Sequence, residues 1–274
     1  MIEFGAFLTA LTGSPVLIVV LLLTLGATVV NGATDAPNAI ATVVGTRSMS
    51  PGAAIIMAAI CNFIGLLAVT TIGAAVAKTI FTMANFGGDN EAALLALAAA
   101  MIAVIAWGVI TWLFGIPSSQ SHSLIAGITG AAIALQNGLG GVNGDEWVKV
   151  LYGLVISTVL GFICGWLFTK IIEFLARGLN RRKSAGFWHW AQIISGAGVA
   201  IMHGAQDGQK FLSVSMMGIM LCMGMGTETG DVAFPLWLVI LCAATMGLGT
   251  AIGGKKIIKS VGMDMVKIFK NPGY

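Results

Sequence analysis

Charged positions divide this chain into long apolar runs. No Asp, Glu, Lys or Arg occurs from Phe4 to Thr34, from Ser48 to Ala77, from Ala92 to Gly144 or from Ser184 to Gln206. Further clean runs cover Val150–Thr169 and Val232–Gly254. Each reaches or exceeds the ~20 apolar residues that carry a helix across a bilayer. The pattern predicts an all-α polytopic membrane protein in the cell (cytoplasmic) membrane.

Composition narrows this further. Only 9% of the 274 residues are charged and 57% are hydrophobic, with a mean hydropathy of +0.95. A soluble domain carries roughly 25% charged residues and could not cover its surface with so few. The net charge is +3, and the basic residues sit in short clusters between apolar runs, so no nucleic-acid partner is expected. The first charge is Glu3, which argues against a secretory signal. Cys61, Cys164, Cys222 and Cys242 lie singly in apolar runs without metal-ligand spacing and read as small buried hydrophobes. Met216, Met217, Met220, Met223 and Met225 read as packing residues rather than a metal site.

The charges also orient the chain. Basic residues gather at Arg47, from Lys170 to Lys183, and again at Lys255, Lys256, Lys259, Lys267 and Lys270. Acidic residues gather at Asp89 and Glu91, at Asp145 and Glu146, and at Glu228 and Asp231. With the basic set in the cytoplasm, residues 15–46 run inward, 51–77 return, 150–176 run inward, 190–225 outward and 232–252 inward. Lys78 and Lys149 are the exceptions. Residues 92–136 begin and end near outside loops, yet carry the polar knot Pro117-Ser118-Ser119-Gln120-Ser121-His122 in their middle. Two helices of about 20 and 14 residues meeting there predict a re-entrant hairpin, whose tip is tolerated at depth only against protein or water.

A short internal repeat links the two halves. Asn31-Gly32-Ala33-Thr34-Asp35 recurs as His203-Gly204-Ala205-Gln206-Asp207, and the same offset places Lys210 where the first copy has Asn38. The first copy would run inward and the second outward, each with a polar, glycine-containing interruption that Gly32 and Gly204 would allow to unwind. Inverted repeats with broken helices point to a transporter with its site at the membrane midplane. Asp35 and Asp207 are the acidic residues predicted to lie deep in the membrane, where a carboxylate needs a cation, a partner or a proton. Asn31, Thr34 and Gln206 join them as candidate cation ligands. Asn38, Ser118, Ser119, Gln120, Ser121, Gln209 and Lys210 are candidate contacts for an oxyanion. His122 and His203 are candidate proton relays, while His189, between Trp188 and Trp190, reads as part of an interfacial aromatic belt.

These residues carry a family resemblance. Gly32-Ala33-Thr34-Asp35-Ala36-Pro37-Asn38-Ala39 and Gly204-Ala205-Gln206-Asp207-Gly208-Gln209-Lys210 resemble the duplicated Gly-Ala-Asn-Asp signature of the inorganic phosphate transporter family. Gly115-Ile116-Pro117-Ser118-Ser119-Gln120-Ser121-His122 is similar to that family's hairpin tip. Gly253-Gly254-Lys255-Lys256-Ile257-Ile258 with Val261-Gly262 resembles the stretch after its second signature. Thr34 and Gln206 stand where the family usually has Asn.

The resemblance implies a secondary transporter that moves inorganic phosphate, driven by Na⁺ or H⁺, with no cofactor and no metal beyond the coupling cation. It also suggests a homodimer. Residues 1–149 are expected to form the first repeat, 150–189 a connecting helix and basic loop, and 190–274 an incomplete second repeat. No counterpart of the Ser118–His122 tip follows the second signature, so a fragment, or a split transporter completed by a complementary polypeptide, is expected. Sulfate is the alternative substrate. The reading from another class is an intramembrane hydrolase with Asp35 and Asp207 as a carboxylate pair, although the chain is expected not to be an enzyme.

Overall fold

The computed structural model describes residues 2–116, 118–225 and 233–259. The described residues are helical apart from turns and one isolated β-bridge, Ala84 to Val142. A short apolar helix, α1 (Phe4–Gly13), precedes the long ones and was not distinguished in the sequence from the run that follows. Ser14 caps the next helix, its Oγ accepting from Leu17 N, and Pro15 occupies the first turn, where a missing N–H is harmless. That helix, α2 (Pro15–Thr34), bends at Asp35 into α3 (Ala36–Gly45). Pro37 has no N–H to give, and Asn38 N bonds to Asp35 O at 3.0 Å instead of reaching a full turn back. The bend is local, and together the two helices make one apolar span of 31 residues.

The return helix α4 (Pro51–Ile72) stops earlier than expected, at the extended Gly73, and a separate short helix α5 (Ala75–Thr82) follows. The hairpin is α6 (Asn90–Phe114) and α7 (Gln120–Gln136), with left-handed Gly115 turning the chain at the end of α6. Its open ends lie together, since Gln136 Nε2 donates to Asn85 O at 2.6 Å. Its tip reaches Asp35 and Asp207 on neighbouring helices, so the chain re-enters as the polar knot requires. Then come α8 (Gly144–Ala176), α9 (Arg181–Cys222) and α10 (Leu236–Lys259). Among the described residues, five spans, α4, α6 and α8 among them, are long and apolar enough to cross a membrane. The stretch Lys255 to Ile257 is helical within α10, whereas Pro117, Glu228, Asp231, Val261, Gly262, Lys267 and Lys270 lie outside the described residues.

One expectation fails. The second signature does not break its helix: α9 is continuous for 42 residues through His203, Gly204 and Asp207. Gly204 serves close approach rather than unwinding, because a Cβ there would strike the backbone of Asn62 on α4. Gly32 does the same against Met246 and Thr250 on α10.

These contacts repeat across the two halves. A Cβ on Gly65 of α4 would collide with Ile201 O on α9, and one on Gly249 of α10 with Val29 O on α2. Ile201 and Val29 are equivalent under the offset that relates the signatures. Helix α4 therefore packs on α9 as α10 packs on α2, and the inverted repeats interlock through bare backbone. Close helix approach at small residues is how membrane helices gain contact when burial from water contributes little. The core they enclose includes Leu17, Leu66, Leu97, Met101, Phe211, Met216, Met217 and Met220, with Met223 half-buried against it; of the methionines expected to pack, Met225 is instead exposed. All four cysteines are free; Cys242 is buried and Cys61 and Cys222 are half-buried, but Cys164, expected to be buried, is exposed on α8.

Helix α8 is different. From Leu151 to Leu175 it is exposed on every face and mainly apolar, with Lys170 and Glu173 the charged residues, whereas near its start Glu146 is buried and Trp147 and Val150 are half-buried. It is tied in at its start by Trp147 Nε1, which donates to Thr129 Oγ1 on α7 at 3.1 Å.

The glycine contacts give a direct test. Gly65→Ala and Gly249→Ala should each destabilise the purified protein by about 1–3 kcal/mol, since backbone cannot give way as a side chain can. Gly153→Ala on α8, where a Cβ meets nothing within 4 Å, should leave thermal stability unchanged or slightly raised. Thermal unfolding in detergent, followed by circular dichroism, reads both effects.

Candidate functional site

Because α9 stays helical, residues three and four apart share a face. His203, Asp207 and Lys210 therefore point the same way, into the space where α2 bends and the hairpin tip arrives. Asp207 is buried. One of its oxygens, Oδ1, receives Lys210 Nζ at 2.7 Å and Ser121 Oγ from the hairpin at 3.1 Å. Lys210 Nζ also donates to Ser121 Oγ, closing a three-membered knot between α9 and the hairpin. The other oxygen, Oδ2, receives Asn31 Nδ2 from α2 at 3.1 Å.

Asp35 sits at the bend between α2 and α3. Its Oδ2 receives the backbone N–H of Gln120 at 3.1 Å and lies 3.5 Å from Asn31 Nδ2. Its Oδ1 lies 3.0 Å from Thr34 Oγ1, a hydroxyl that also lies 2.9 Å from Val30 O and has one proton to share between them. The two carboxylates are thus joined by a single buried amide, Asn31, and both face the hairpin tip. Their charge balance is unequal. Asp207 has an ammonium in contact, whereas among the described residues the hydrogen-bond donors to Asp35 are all neutral.

His203 completes the cluster. Its Nδ1 lies 3.0 Å from Asn62 Oδ1, and Asn62 Nδ2 donates to Thr250 Oγ1 at 2.9 Å, which donates in turn to Met246 O. That chain of donors makes Nδ1 a protonated nitrogen of the ring. Nε2 then faces Asp207 Oδ2 at 3.5 Å without a hydrogen bond. One ligand atom from each of Asp35, His203 and Asp207 lies within 4.8 Å of the others, a spacing that admits a cation between them. Asn31 Oδ1 and both polar atoms of the Gln120 side chain are buried without a partner. Buried polar atoms left unpaired mark places where a ligand or water is accommodated.

The hairpin tip has two polar faces. Gln120 N and Ser121 look toward the aspartates. On the other side Ser118, Ser119, His122 and Ser123 line a groove of about 630 Å³ with Trp107. Ser119 caps α7, accepting from His122 N at 3.3 Å, so the groove opens at a helix N-terminus.

The sequence-derived residues divide accordingly. Asn31, Thr34, Asp35, Gln120, Ser121, His203, Asp207 and Lys210 come together. Ser118, Ser119 and His122 lie on the groove side. Gln206 and Asn38 are exposed on α9 and α3 with no side-chain hydrogen bond given. Gln209 points elsewhere, its Nε2 donating to Gly73 O at 2.9 Å, where it fastens α9 to the end of α4. Position 209 is two residues from Asp207, and a continuous helix turns it off the shared face. Sequence reasoning missed Asn62 and Thr250. Each is a lone amide or hydroxyl within an apolar run, and that polarity at depth was the available signal.

The model of the Phosphate transporter family matches residues 31–186 and 177–274. A Bacillus subtilis protein named a probable low-affinity inorganic phosphate transporter is 36% identical over 87% of this chain and 69% of its own length. A Mycobacterium leprae protein of the same name is 32% identical over 92% of this chain and 59% of its own length. The chain thus spans between roughly three-fifths and two-thirds of these relatives. A solved structure titled as the sodium-dependent phosphate transporter shares the fold, with a TM-score of 0.76 at 20% identity over 91% of this chain and 78% of that one. The chain belongs to the phosphate transporter family and is a multi-pass membrane protein.

Lys210 and Asp207 supply the test of the geometry. Lys210→Met leaves Asp207 buried beside neutral donors and should cost about 3–5 kcal/mol, the usual result of removing one partner of a buried pair. The double variant Asp207→Asn/Lys210→Met should recover most of that loss. Denaturation midpoints of the two single variants and the double variant check it; strictly additive losses contradict the pairing.

Proposed function

We propose that this chain takes part in cation-coupled transport of inorganic phosphate, with Asp35 as the carboxylate that the coupling Na⁺ or H⁺ neutralises. The observation carrying this reading is the unequal charge balance of the two buried aspartates. With both ionised, the pair and Lys210 leave one net negative charge. Lys210 already serves Asp207, so one monovalent cation or proton at Asp35 brings the cluster to neutrality. Thr34 Oγ1, Asn31 Oδ1 and His203 Nε2 are oxygen and nitrogen atoms near enough to help hold it.

The anion side follows from the hairpin. Gln120 N and Ser121 couple the tip to the aspartates, while Ser118, Ser119 and the start of α7 offer neutral donors and the positive end of a helix in the groove beyond. Neutral donors hold an oxyanion without binding it too strongly for release. While Asp35 is unneutralised, its negative charge repels an approaching phosphate; once neutralised, it does not. Gating of the anion by the cation is then electrostatic and runs through the same few side chains. The relatives' names support phosphate over sulfate.

An intramembrane hydrolase built on the two aspartates is disfavoured by Lys210, which keeps Asp207 engaged as an ion pair. The two readings part cleanly. Proteoliposomes containing the chain should accumulate labelled phosphate only under an imposed cation gradient; release of phosphate from an ester with no gradient would instead identify a hydrolase.

Two variants test the roles assigned. Asp35→Asn should insert and fold but lose at least ~90% of gradient-driven uptake, because the coupling cation loses its charged ligand. Near-normal uptake with unchanged cation dependence would defeat that assignment. Lys210→Asn removes the internal ammonium, so Asp207 must draw a second cation from solution and uptake should depend more steeply on Na⁺. Identical uptake in sodium and choline media would show that Lys210 does not stand in for a cation.

A further inference from the structure

At the far end of the molecule from the hairpin's open ends, α8 and α9 meet in an elbow and then diverge. Helix α8 ends at Ala176, α9 begins at Arg181, and the two barely touch beyond the turn. Between them lies a wedge of about 550 Å³ walled by Ile172, Ala176, Leu179 and Trp188. Its walls are mostly apolar, Thr169, Ser184 and Glu173 being the polar residues on them, and beside it runs α8, exposed and mainly apolar from Leu151 to Phe168. The residues that flank its lining along the chain are basic: Arg177 follows Ala176, and Arg182 and Lys183 precede Ser184.

From Lys170 to Lys183 the chain carries Lys170, Arg177, Arg181, Arg182 and Lys183 against one acid, Glu173. That acid is taken: Lys170 Nζ binds Glu173 Oε2 at 2.7 Å. Among the described residues, Arg177, Arg182 and Lys183 have no carboxylate within ion-pair distance; Arg177 lies over the Phe174 ring instead, 5.8 Å from its centroid. The basic residues also occupy the first turn of α9, where the helix dipole already places positive charge and where acids would normally sit. Trp188, on the wall of the wedge, and the exposed Trp190 follow, and tryptophan is the residue type that favours the membrane–water boundary. Unmatched cations, an apolar crevice opening sideways and tryptophans at the boundary describe one kind of ligand: an amphiphile with an anionic head and acyl chains.

We propose that the α8–α9 elbow is a binding site for an anionic phospholipid, with the headgroup phosphate against Arg177, Arg182 and Lys183 and the acyl chains in the wedge along α8. By the positive-inside rule this site faces the cytoplasmic leaflet. It is separate from the aspartate cluster, so it stands or falls independently of phosphate transport. Charge complementarity favours a lipid over a free anion, because a soluble phosphate would leave the apolar walls of the wedge bare.

The test uses the full chain reconstituted in phosphatidylcholine bilayers with trace spin-labelled phosphatidylglycerol or phosphatidylcholine, reading the fraction of label immobilised on the protein. The wild type should select phosphatidylglycerol. The triple variant Arg177→Gln/Arg182→Gln/Lys183→Gln should lose essentially all of that selectivity, each basic residue near a membrane surface contributing roughly fivefold. Ala176→Trp fills the wedge with every charge intact and should also abolish it, which separates a built site from diffuse attraction. Lys78→Gln/Lys149→Gln, on the opposite membrane face, should change nothing. Equal immobilisation of the two lipids by the wild type overturns the proposal, as does selectivity that survives either elbow variant. Displacement of phosphatidylglycerol by millimolar inorganic phosphate would reassign the elbow to a soluble anion and overturn it equally.

Discussion

Two carboxylates buried within reach of one amide are the constraint around which this molecule is built. Charge at that depth is costly, and two like charges side by side are costlier still. The surrounding elements are arranged to make it tolerable. Helix α9 brings its own ammonium one turn along, α2 supplies Asn31 between the acids, and the hairpin is drawn in until Gln120 N and Ser121 can donate. The hairpin tip, otherwise a polar loop in an apolar medium, is held at depth by the same bonds. Its stability and that of the aspartates are one problem with one solution.

That solution requires helices closer than side chains allow. Gly65 against Ile201 and Gly249 against Val29 bring α4 onto α9 and α10 onto α2 at backbone distance, which places Asn62 under His203 and Thr250 under Asn62. The ring of His203 is therefore oriented by residues from two other helices. An interior packed this way transmits displacement, because neither backbone in such a contact can yield without moving its whole helix.

Much of this was legible in the sequence. Charge-free runs marked the long helices, and the polar knot at 117–122 marked the hairpin because a polar stretch inside an apolar run needs a reason. The repeat of Asn31–Asp35 as His203–Asp207 led to the cluster itself. Where the reading went astray, the cause was one assumption. Glycine and polar residues inside a span can signal either an unwound segment or close packing, and Gly204 does the second. With α9 intact, the helical period decides which neighbours of Asp207 join it. His203 and Lys210 do, whereas Gln206 and Gln209 turn away. The short helices α1 and α5 were hidden because they continue apolar runs without a charged boundary, and Asn62 because a single amide has no pattern to announce it.

The unbroken second signature also leaves the two halves mechanically unlike. Helix α9 runs 42 residues with its hydrogen-bond ladder complete past Asp207, whereas the first half is interrupted at Asp35, where Pro37 removes a rung. Bending stiffness is thus concentrated in one copy of the repeat and compliance in the other. A duplicated fold with identical halves would deform symmetrically about its pseudo-axis. This one has a rod and a joint, and the joint coincides with the carboxylate that lacks an internal counterion. Any change in charge at Asp35 acts at the point of least rigidity, so a small electrostatic force there is spent on rotation about the joint rather than on straining a stiff helix.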